Sequence, residues 1–424
     1  MPKEKNLYYL FAFSNFLAAF GGGMILGESV KIVDLPYLQG GSILAFFVGT
    51  VLGLAFLQFI PNNISKPLAR WFSISGGITS LILVILFKNN SLNGKLIGIP
   101  ALLFFLLLSI RFGFWFYSRV IRAANVAGQQ QKIAWVELGY YIGIMLGLII
   151  WKFLGIHIKL DSALLIDALL QFSAGYLDLR GNKINRAPEQ TLSNQSENNS
   201  QTIPRKTYEP IWCWRLASAV VFLTVGIQVT IFNLAHHVSE YFGSYILATF
   251  YFGVSIAALF CKKLNIQLDW DSANRFSKIY AANKKIKLNS SFIILFSGLA
   301  AGIAILGINY WPSNNNSITF DSIMSIFLIY FFVFIAAFFY EILALAILDR
   351  IGLEEKYSAR SGMIIRTYGL MGIGAAISFW LFGITESSFL GLLATLVVCL
   401  IYASLAILQR NELSQYVETI ELKE

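Results

Sequence analysis

Four charged residues stand where the surrounding sequence is apolar: Arg111, Glu137, Glu341 and Arg366. A charge at the centre of a bilayer costs at least about 2.5–3.5 kcal/mol unless it is paired or hydrated, so each calls for a partner. Arg111 precedes Arg119 by eight residues, and Glu341 precedes Asp349 by eight. Arg111 and Glu137 lie on consecutive apolar stretches, as do Glu341 and Arg366, with the signs exchanged between the two sets. At a rise of ~1.5 Å per residue each set falls at a similar depth. Two ion pairs are therefore predicted, Arg111 with Glu137 and Glu341 with Arg366. Such pairs either set the fold statically or act as gates that break and re-form.

Polar residues also recur at helical spacing. Gly226, Thr230, Asn233, His237 and Glu240 advance in steps of four and three, which places them on one helix face, with Gln228 on the same stretch. Ser14, Ala18, Gly21 and Glu28 form a second face with Asn15 beside it; Arg111, Trp115 and Ser118 form a third; Tyr330, Phe334 and Glu341 a fourth. Asp167, Gln171, Ala174 and Asp178 make a fifth, in which Asp178 stands next to Arg180 and reads as a plain interfacial charge. A polar stripe on an apolar helix must meet protein or a water-filled cavity. A solute pathway is expected, with interhelical hydrogen bonding as the alternative. The candidate pathway residues are Asn15, Glu28, Arg111, Trp115, Gln228, Thr230, Asn233, His237, Tyr330 and Glu341; the candidate ion-pair or gating residues are Arg111, Glu137, Glu341 and Arg366.

Catalytic and metal chemistry find little to work with. The chain carries no nucleophile and base arrangement and no phosphate-binding glycine loop, so no enzyme activity is expected, and ATP-driven transport would need another chain. Adjacent helix residues point about 100° apart, so His236 and His237 do not address one small ion together, and His157 lies in a short loop. Without a cysteine or carboxylate at ligand spacing, neither a metal site nor a cofactor is expected. His237, Glu28 or Glu240 is the candidate proton-responsive group. Cys213, Cys261 and Cys399 each fall in or beside an apolar stretch and read as buried thiols acting as small hydrophobes.

The elements that must position these residues are membrane spans. Of 424 residues, 57% are hydrophobic and only 13% charged, against roughly 25% charged in a soluble domain; most of the surface must face lipid. Runs of the roughly 20 apolar residues needed to cross a bilayer occur at about 7–27, 37–60, 71–88, 98–118, 133–154, 161–179, 210–233, 243–262, 290–310, 320–347, 361–383 and 388–409. With the N-terminus inside, the external segments hold Lys31, Lys88, Lys95, Lys152 and Lys159, and nearly every other Lys and Arg falls inside. That asymmetry predicts two cytoplasmic termini. The net charge of +9 then reports topology, and no nucleic-acid partner is expected. Residues 180–209, rich in Asn, Gln and Ser, read as a polar linker between an N-terminal six-helix bundle (1–179) and a C-terminal one (210–424). The segment 262–289 mixes apolar and basic residues and reads as a short amphipathic helix on the inner leaflet or as a solvated loop.

The two halves resemble each other. Charge, glycine, small residue and tryptophan recur at offsets 0, 6, 10 and 14 in Glu137, Gly143, Gly147 and Trp151 and in Arg366, Gly372, Ala376 and Trp380, as expected of transporter halves that are repeats. Gly139, Gly143 and Gly147 space small residues by four, which usually marks helix-packing surface. Twelve spans in a six-plus-six order, the polar central segment and Arg111 in the fourth span resemble the major facilitator superfamily. The chain departs from the family's usual motifs: the loop Pro61 to Arg70 lacks an acid, and Trp115 stands four residues after Arg111. The resemblance implies an all-α fold of two pseudo-symmetric six-helix bundles, with the first, fourth, seventh and tenth spans lining a cavity. It implies a secondary transporter of the inner membrane working by alternating access. Its expected partners are the lipid bilayer, a small-molecule substrate and a coupling proton or other ion. With 36 Phe, 19 Tyr and 9 Trp, a small amphipathic organic solute is the expected cargo: drug-like, siderophore or lipid-like. The alternative is a non-transporting scaffold or assembly factor of the same fold.

The topology is open to direct measurement. Cysteine labels at Asn90 or Asn315 should react from outside the cell and one at Asn199 only from inside; reversed labelling would overturn the whole assignment.

Overall fold

The computed structural model describes residues 2–28, 45–46, 48–49, 52, 68–91, 95–125, 130–154, 159–185, 231, 234–235, 240–264, 267–269, 281–282, 285–307 and 320–352. Eight helices account for most of them: α1 (Pro2–Glu28), α2 (Leu68–Asn90), α3 (Ile99–Asn125), α4 (Gln130–Leu154), α5 (Leu160–Asn185), α6 (Glu240–Leu264), α7 (Ser290–Leu306) and α8 (Phe320–Gly352). Six contain segments long and apolar enough to cross a membrane: Tyr8–Leu26, Ala69–Asn90, Ile99–Ala123, Ile133–Trp151, Leu160–Gly181 and Ile323–Ile342. The chain is a multi-pass membrane protein. These six are the first, third, fourth, fifth, sixth and tenth of the predicted spans; α6, with the shorter apolar stretch Tyr245–Cys261, and α7 take the places of the eighth and ninth. The second, seventh, eleventh and twelfth predicted spans lie wholly or almost wholly outside the described residues.

Two local readings change. The segment 262–289, expected as an amphipathic helix or loop, contains a small three-stranded sheet of order β1-β3-β2. In it β1 (Gln267–Asp269) pairs parallel with β3 (Lys285–Asn289), and β2 (Ala281–Ala282) pairs antiparallel with β3. Lys285-Ile286-Lys287-Leu288-Asn289 alternates with period two, the signature of a strand. The helix of the sixth predicted span also continues past residue 179, to Asn185. Hydropathy marks where a helix leaves the hydrocarbon, not where its hydrogen bonding ends.

Close packing of α1 on α4 organises the first five helices. A Cβ added at Gly139 would fall on the Ala12 carbonyl oxygen, at Gly143 on that of Phe16, and at Gly147 on that of Phe20. Both helices thus advance in steps of four in the same direction, with the α1 backbone resting in a groove that only glycine leaves open. Odd-numbered spans must run parallel, and this register satisfies that requirement. Asn15 adds a polar fastening, its Nδ2 donating to the Val136 carbonyl at 3.0 Å. On the other side of α1 lies α5, which also packs on α2, and α2 packs on α3. The fifth span is the bridge to the later helices: α4 packs on α6 and touches α8, while α8 is flanked by α6 and α7. Gly253 of α6 repeats the glycine device, its missing Cβ leaving room for the Phe334 carbonyl of α8 at 2.7 Å.

The glycine seam makes a stability prediction. Gly143→Ala should lower the thermal unfolding midpoint in detergent, by an amount equivalent to about 1–3 kcal/mol of overpacking. Gly76→Ala should be neutral, since its Cβ meets only ordinary contacts at 3.6–3.7 Å. Equal effects at the two sites would show that the seam is not tight.

Candidate functional site

The polar centre of the first five helices is built on one face of α3. Arg111, Trp115, Ser118 and Arg122 follow at steps of four, three and four, and Asp167, Gln171, Ala174 and Asp178 repeat those steps on α5. The two helices run parallel, and both cross-pairs span the same 56 residues. Arg111 meets Asp167 and Arg122 meets Asp178, with all four side chains at 0% exposure. A buried guanidinium needs a carboxylate and further acceptors to offset its desolvation, and the two sites meet that need to different degrees.

Around Arg122 every donor is used. Its Nε donates to Asp178 Oδ1 at 2.9 Å, and Nη2 donates to Asp178 Oδ2 at 2.7 Å and to Ser73 Oγ at 2.6 Å. Its Nη1 donates to Asn15 Oδ1 at 2.8 Å and to Ser118 Oγ at 3.2 Å. A guanidinium has five N–H donors, and here all five have acceptors. Ser14 Oγ donates toward the same cluster, 2.9 Å from Asp178 Oδ1 and 3.0 Å from the Ala174 carbonyl. Four helices are tied at one point, and no capacity remains for a ligand.

Around Arg111 capacity does remain. Its Nε donates to Asp167 Oδ2 at 2.8 Å, and its Nη2 binds Asp167 Oδ1, completing a two-pronged contact. Ser80 Oγ donates to Asp167 Oδ2 at 2.5 Å. Gln171 Nε2 donates to the Ala18 carbonyl at 3.0 Å. Arg111 Nη1, Gln171 Oε1 and Trp115 Nε1 are buried and have no hydrogen-bond partner among the described residues. Gly76 packs against the same groups, its absent Cβ 3.6 Å from Gln171 Oε1 and 3.7 Å from Arg111 Cδ. Trp115 stacks on Tyr140 at 5.2 Å and meets Phe46 edge-on at 5.7 Å. The region thus joins unused donors, an unused acceptor and an aromatic wall.

A third arginine makes a different construction. Arg119 Nε donates to Glu137 Oε2 at 2.7 Å and Nη2 donates to Tyr141 Oη at 3.0 Å. Its Cζ sits 3.8 Å from the centre of the Tyr140 ring, an additional cation–π contact. Tyr141 in turn donates to Glu341 Oε2 of α8 at 2.7 Å, and its ring stacks on Tyr251 of α6 at 6.2 Å. Glu137, Arg119, Tyr141 and Glu341 therefore form a continuous relay from the first five helices to the later ones.

These contacts correct two expectations. Arg111 does not pair with Glu137; Asp167 takes Arg111, and Arg119 takes Glu137. The depth estimate placed the end of the fourth span near Arg119, whereas α3 continues to Asn125. Counted from that end, Arg111 lies ~21 Å in and Arg119 ~9 Å, level with Glu137 at ~10 Å from the start of α4. Asp178 is not a plain interfacial charge but the fully buried partner of Arg122. Glu341 has Tyr141 as its hydrogen-bond partner; Arg366, its predicted partner, lies outside the described residues.

The remaining candidates are placed as follows. Asn15 joins the Arg122 cluster, Trp115 stands beside Arg111, and Tyr330 is half-buried on α8. The backbone of Glu28 ends α1, with its side chain outside the description, as are Gln228, Thr230, Asn233 and His237. Among the described residues no group of three or more His, Cys, Asp and Glu is arranged to hold a metal ion. Arg122 and Asp178 were missed as a pair, although the shared spacing of opposite charges on two parallel spans was there to find.

No family model matches the chain, and no curated protein is similar to it in sequence. Solved structures are similar in fold. A bacterial homologue of the iron transporter ferroportin in an outward-facing state aligns over 96% of this chain and 99% of its own, with a TM-score of 0.58 and 12% identity. The inward-facing state of such a homologue covers 96% and 98%, with a TM-score of 0.55 and 11% identity. The chain therefore shares the fold of those structures.

A double-mutant cycle tests the charge assignment. Asp167→Asn alone should cost about 3–5 kcal/mol by stranding Arg111. Arg111→Gln with Asp167→Asn should show a coupling of about 0.5–3 kcal/mol, while Arg111→Gln with Glu137→Gln should be additive to about 0.5 kcal/mol. Thermal unfolding in detergent reads both, and coupling in the second cycle would restore the pairing that the structure replaces.

Proposed function

We propose that this chain is a secondary transporter of the inner membrane that moves a small organic solute by alternating access. In this reading twelve spans form two six-helix bundles, 1–179 and 210–424, with both termini cytoplasmic. Two observations support transport: an alignment over nearly the whole length with transporters captured in outward-facing and inward-facing states, and the confinement of the described contacts between early and late helices largely to α4 with α6 and α8. Among the described residues these are the contacts that a rocking of two bundles would have to accommodate.

The unpartnered polar groups around Arg111 carry the cargo reading. Arg111 Nη1 and Trp115 Nε1 offer donors, Gln171 Oε1 offers an acceptor, and the stack of Trp115 on Tyr140 supplies an apolar wall. A solute with an acceptor group and an aromatic or aliphatic body matches that set, since small-molecule sites combine a few placed polar groups with apolar lining. In this proposal the pathway also takes in Gln228, Thr230, Asn233 and His237, as read from the sequence.

The similarity to homologues of an iron transporter favours a second reading, a free divalent metal ion. In the first five helices, however, Asp167, Asp178 and Glu137 each already have an arginine, and a carboxylate so neutralised is a poor ligand for a hard cation.

Purified protein distinguishes the two readings. Mass spectrometry should find a small organic compound retained by the wild type and about three- to tenfold depleted in Trp115→Phe, which removes one hydrogen-bond donor and little volume. Proteoliposomes enclosing a fluorophore quenched by ferrous iron should respond no faster than empty vesicles. Rapid quenching would replace the organic solute by the metal ion.

A further inference from the structure

On the outside of the first five helices, α1 and α5 enclose an open groove of about 420 Å³, lined by Phe13 and Leu17 from α1 and by Phe172, Ser173, Tyr176 and Leu177 from α5. Its walls are almost entirely apolar. Phe13 stacks on Phe16 at 6.0 Å, and the Phe172 ring is set against α2, where a Cβ at Gly77 would meet its Cε1 at 2.8 Å. Ser173 donates to the Leu169 carbonyl at 2.9 Å, so its proton is spent within its own helix and the lining suits an alkyl chain better than a polar solute. Phe13 and Tyr176 remain about half exposed, at 52% and 54%.

One end of the groove is cationic. Tyr176, Arg180 and Lys183 follow at steps of four and three, on one face of α5. Arg180 is exposed, its Cζ 5.2 Å from the centre of the Tyr176 ring. Ser14 bonds to Asp178 and the Ala18 carbonyl to Gln171, so α1 and α5 run antiparallel and the start of α1, with Lys3 and Lys5, lies at that same end. Against these four cations it carries Glu4; Asp178 is already bound by Arg122. The exposed Trp71 of α2 stands level with Tyr176, since a Cβ at Gly175 would lie 3.4 Å from the Arg70 carbonyl. Exposed Trp and Tyr at one level mark the boundary between membrane and water. From Arg180 the groove descends to Phe172 over ~12 Å, within one leaflet of ~15 Å, half of a hydrocarbon core of ~30 Å. We propose that this groove binds one anionic phospholipid of the adjacent leaflet, its headgroup phosphate on Arg180 and an acyl chain between α1 and α5. The chain's own segment 186–209 is polar and ill suited to a hydrocarbon slot. The site belongs to the first five helices alone and does not depend on transport.

Native mass spectrometry of the full-length protein in mild detergent, titrated with phosphatidylglycerol or phosphatidylcholine of identical acyl chains, tests the site. The wild type should retain one phosphatidylglycerol with at least about fivefold preference over phosphatidylcholine, the factor equivalent to about 1 kcal/mol for one basic residue near an anionic surface. Arg180→Gln should lower that preference by about the same factor. Ser173→Trp, which fills the groove from an exposed position, should remove the first bound lipid of either kind. Arg70→Gln takes the same charge from beside Trp71, outside the groove, and should change neither. The unfolding midpoint in lipid-free detergent checks that each variant is folded, and the exposed Arg180 keeps the test sound if Ser173→Trp is not. Equal retention of the two lipids by the wild type, an undiminished preference in Arg180→Gln, an equal loss in Arg70→Gln, or a lipid still held by folded Ser173→Trp overturns the proposal. So does a compound other than phospholipid that the wild type retains and Ser173→Trp releases, which would give the groove to another amphiphile.

Discussion

A guanidinium placed in hydrocarbon dictates what surrounds it, and α3 carries three. Each takes a carboxylate: Asp167 for Arg111, Glu137 for Arg119 and Asp178 for Arg122. Because the carboxylates sit on α4 and α5, these demands fix the rotation and height of both helices against α3. The serines of α1 and α2 follow from the same demands. Ser14, Ser73 and Ser80 bring hydroxyls to carboxylate oxygens and a guanidinium nitrogen whose bonding capacity the ion pairs alone do not fill, and in a membrane no water is at hand to replace them. Apolar packing fills the remaining space, but it does not choose the register.

The three arginines serve different ends. At Arg122 all donors are used and the partners come from four helices, an arrangement with no slack for a moving part. At Arg111 a carboxylate holds the group in place while a pair of N–H donors stays unspent. At Arg119 the charge passes its influence through Tyr141 to a helix of the later set. The three differ in the degree to which each guanidinium is satisfied, which burial alone does not reveal, since Arg111 and Arg122 are equally inaccessible.

Much of the fold was legible because the bilayer enforces a single rule. The eight described helices match predicted spans to within a few residues, except where a polar extension such as 180–185 carries a helix beyond the lipid. The glycine spacing of Gly139, Gly143 and Gly147 was legible as packing surface, though not that α1 is what it receives. The site was less so. Depth estimates separate charges along a helix axis but say nothing of azimuth, and they inherit any error in the span ends; moving one end from Arg119 to Asn125 exchanged the partners of Glu137. Asp178 misled through its neighbour, because Arg180 suggested a surface where α5 in fact faces inward. The regular eleven-residue interval between Arg111 and Arg122, matched by Asp167 and Asp178, held the answer in a form that pairing adjacent spans overlooks.

That interval has a consequence for how the chain is made. Arg111 and Arg122 emerge from the ribosome 56 residues before the aspartates that neutralise them. At about 5–20 residues per second the delay is roughly 3–11 seconds, far longer than a helix needs to form. Throughout that time α3 is a helix with two unanswered charges, and it is costly to release into lipid. Holding it in a hydrated setting until α5 arrives would remove that cost, with the fourth, fifth and sixth spans then entering the bilayer as one group.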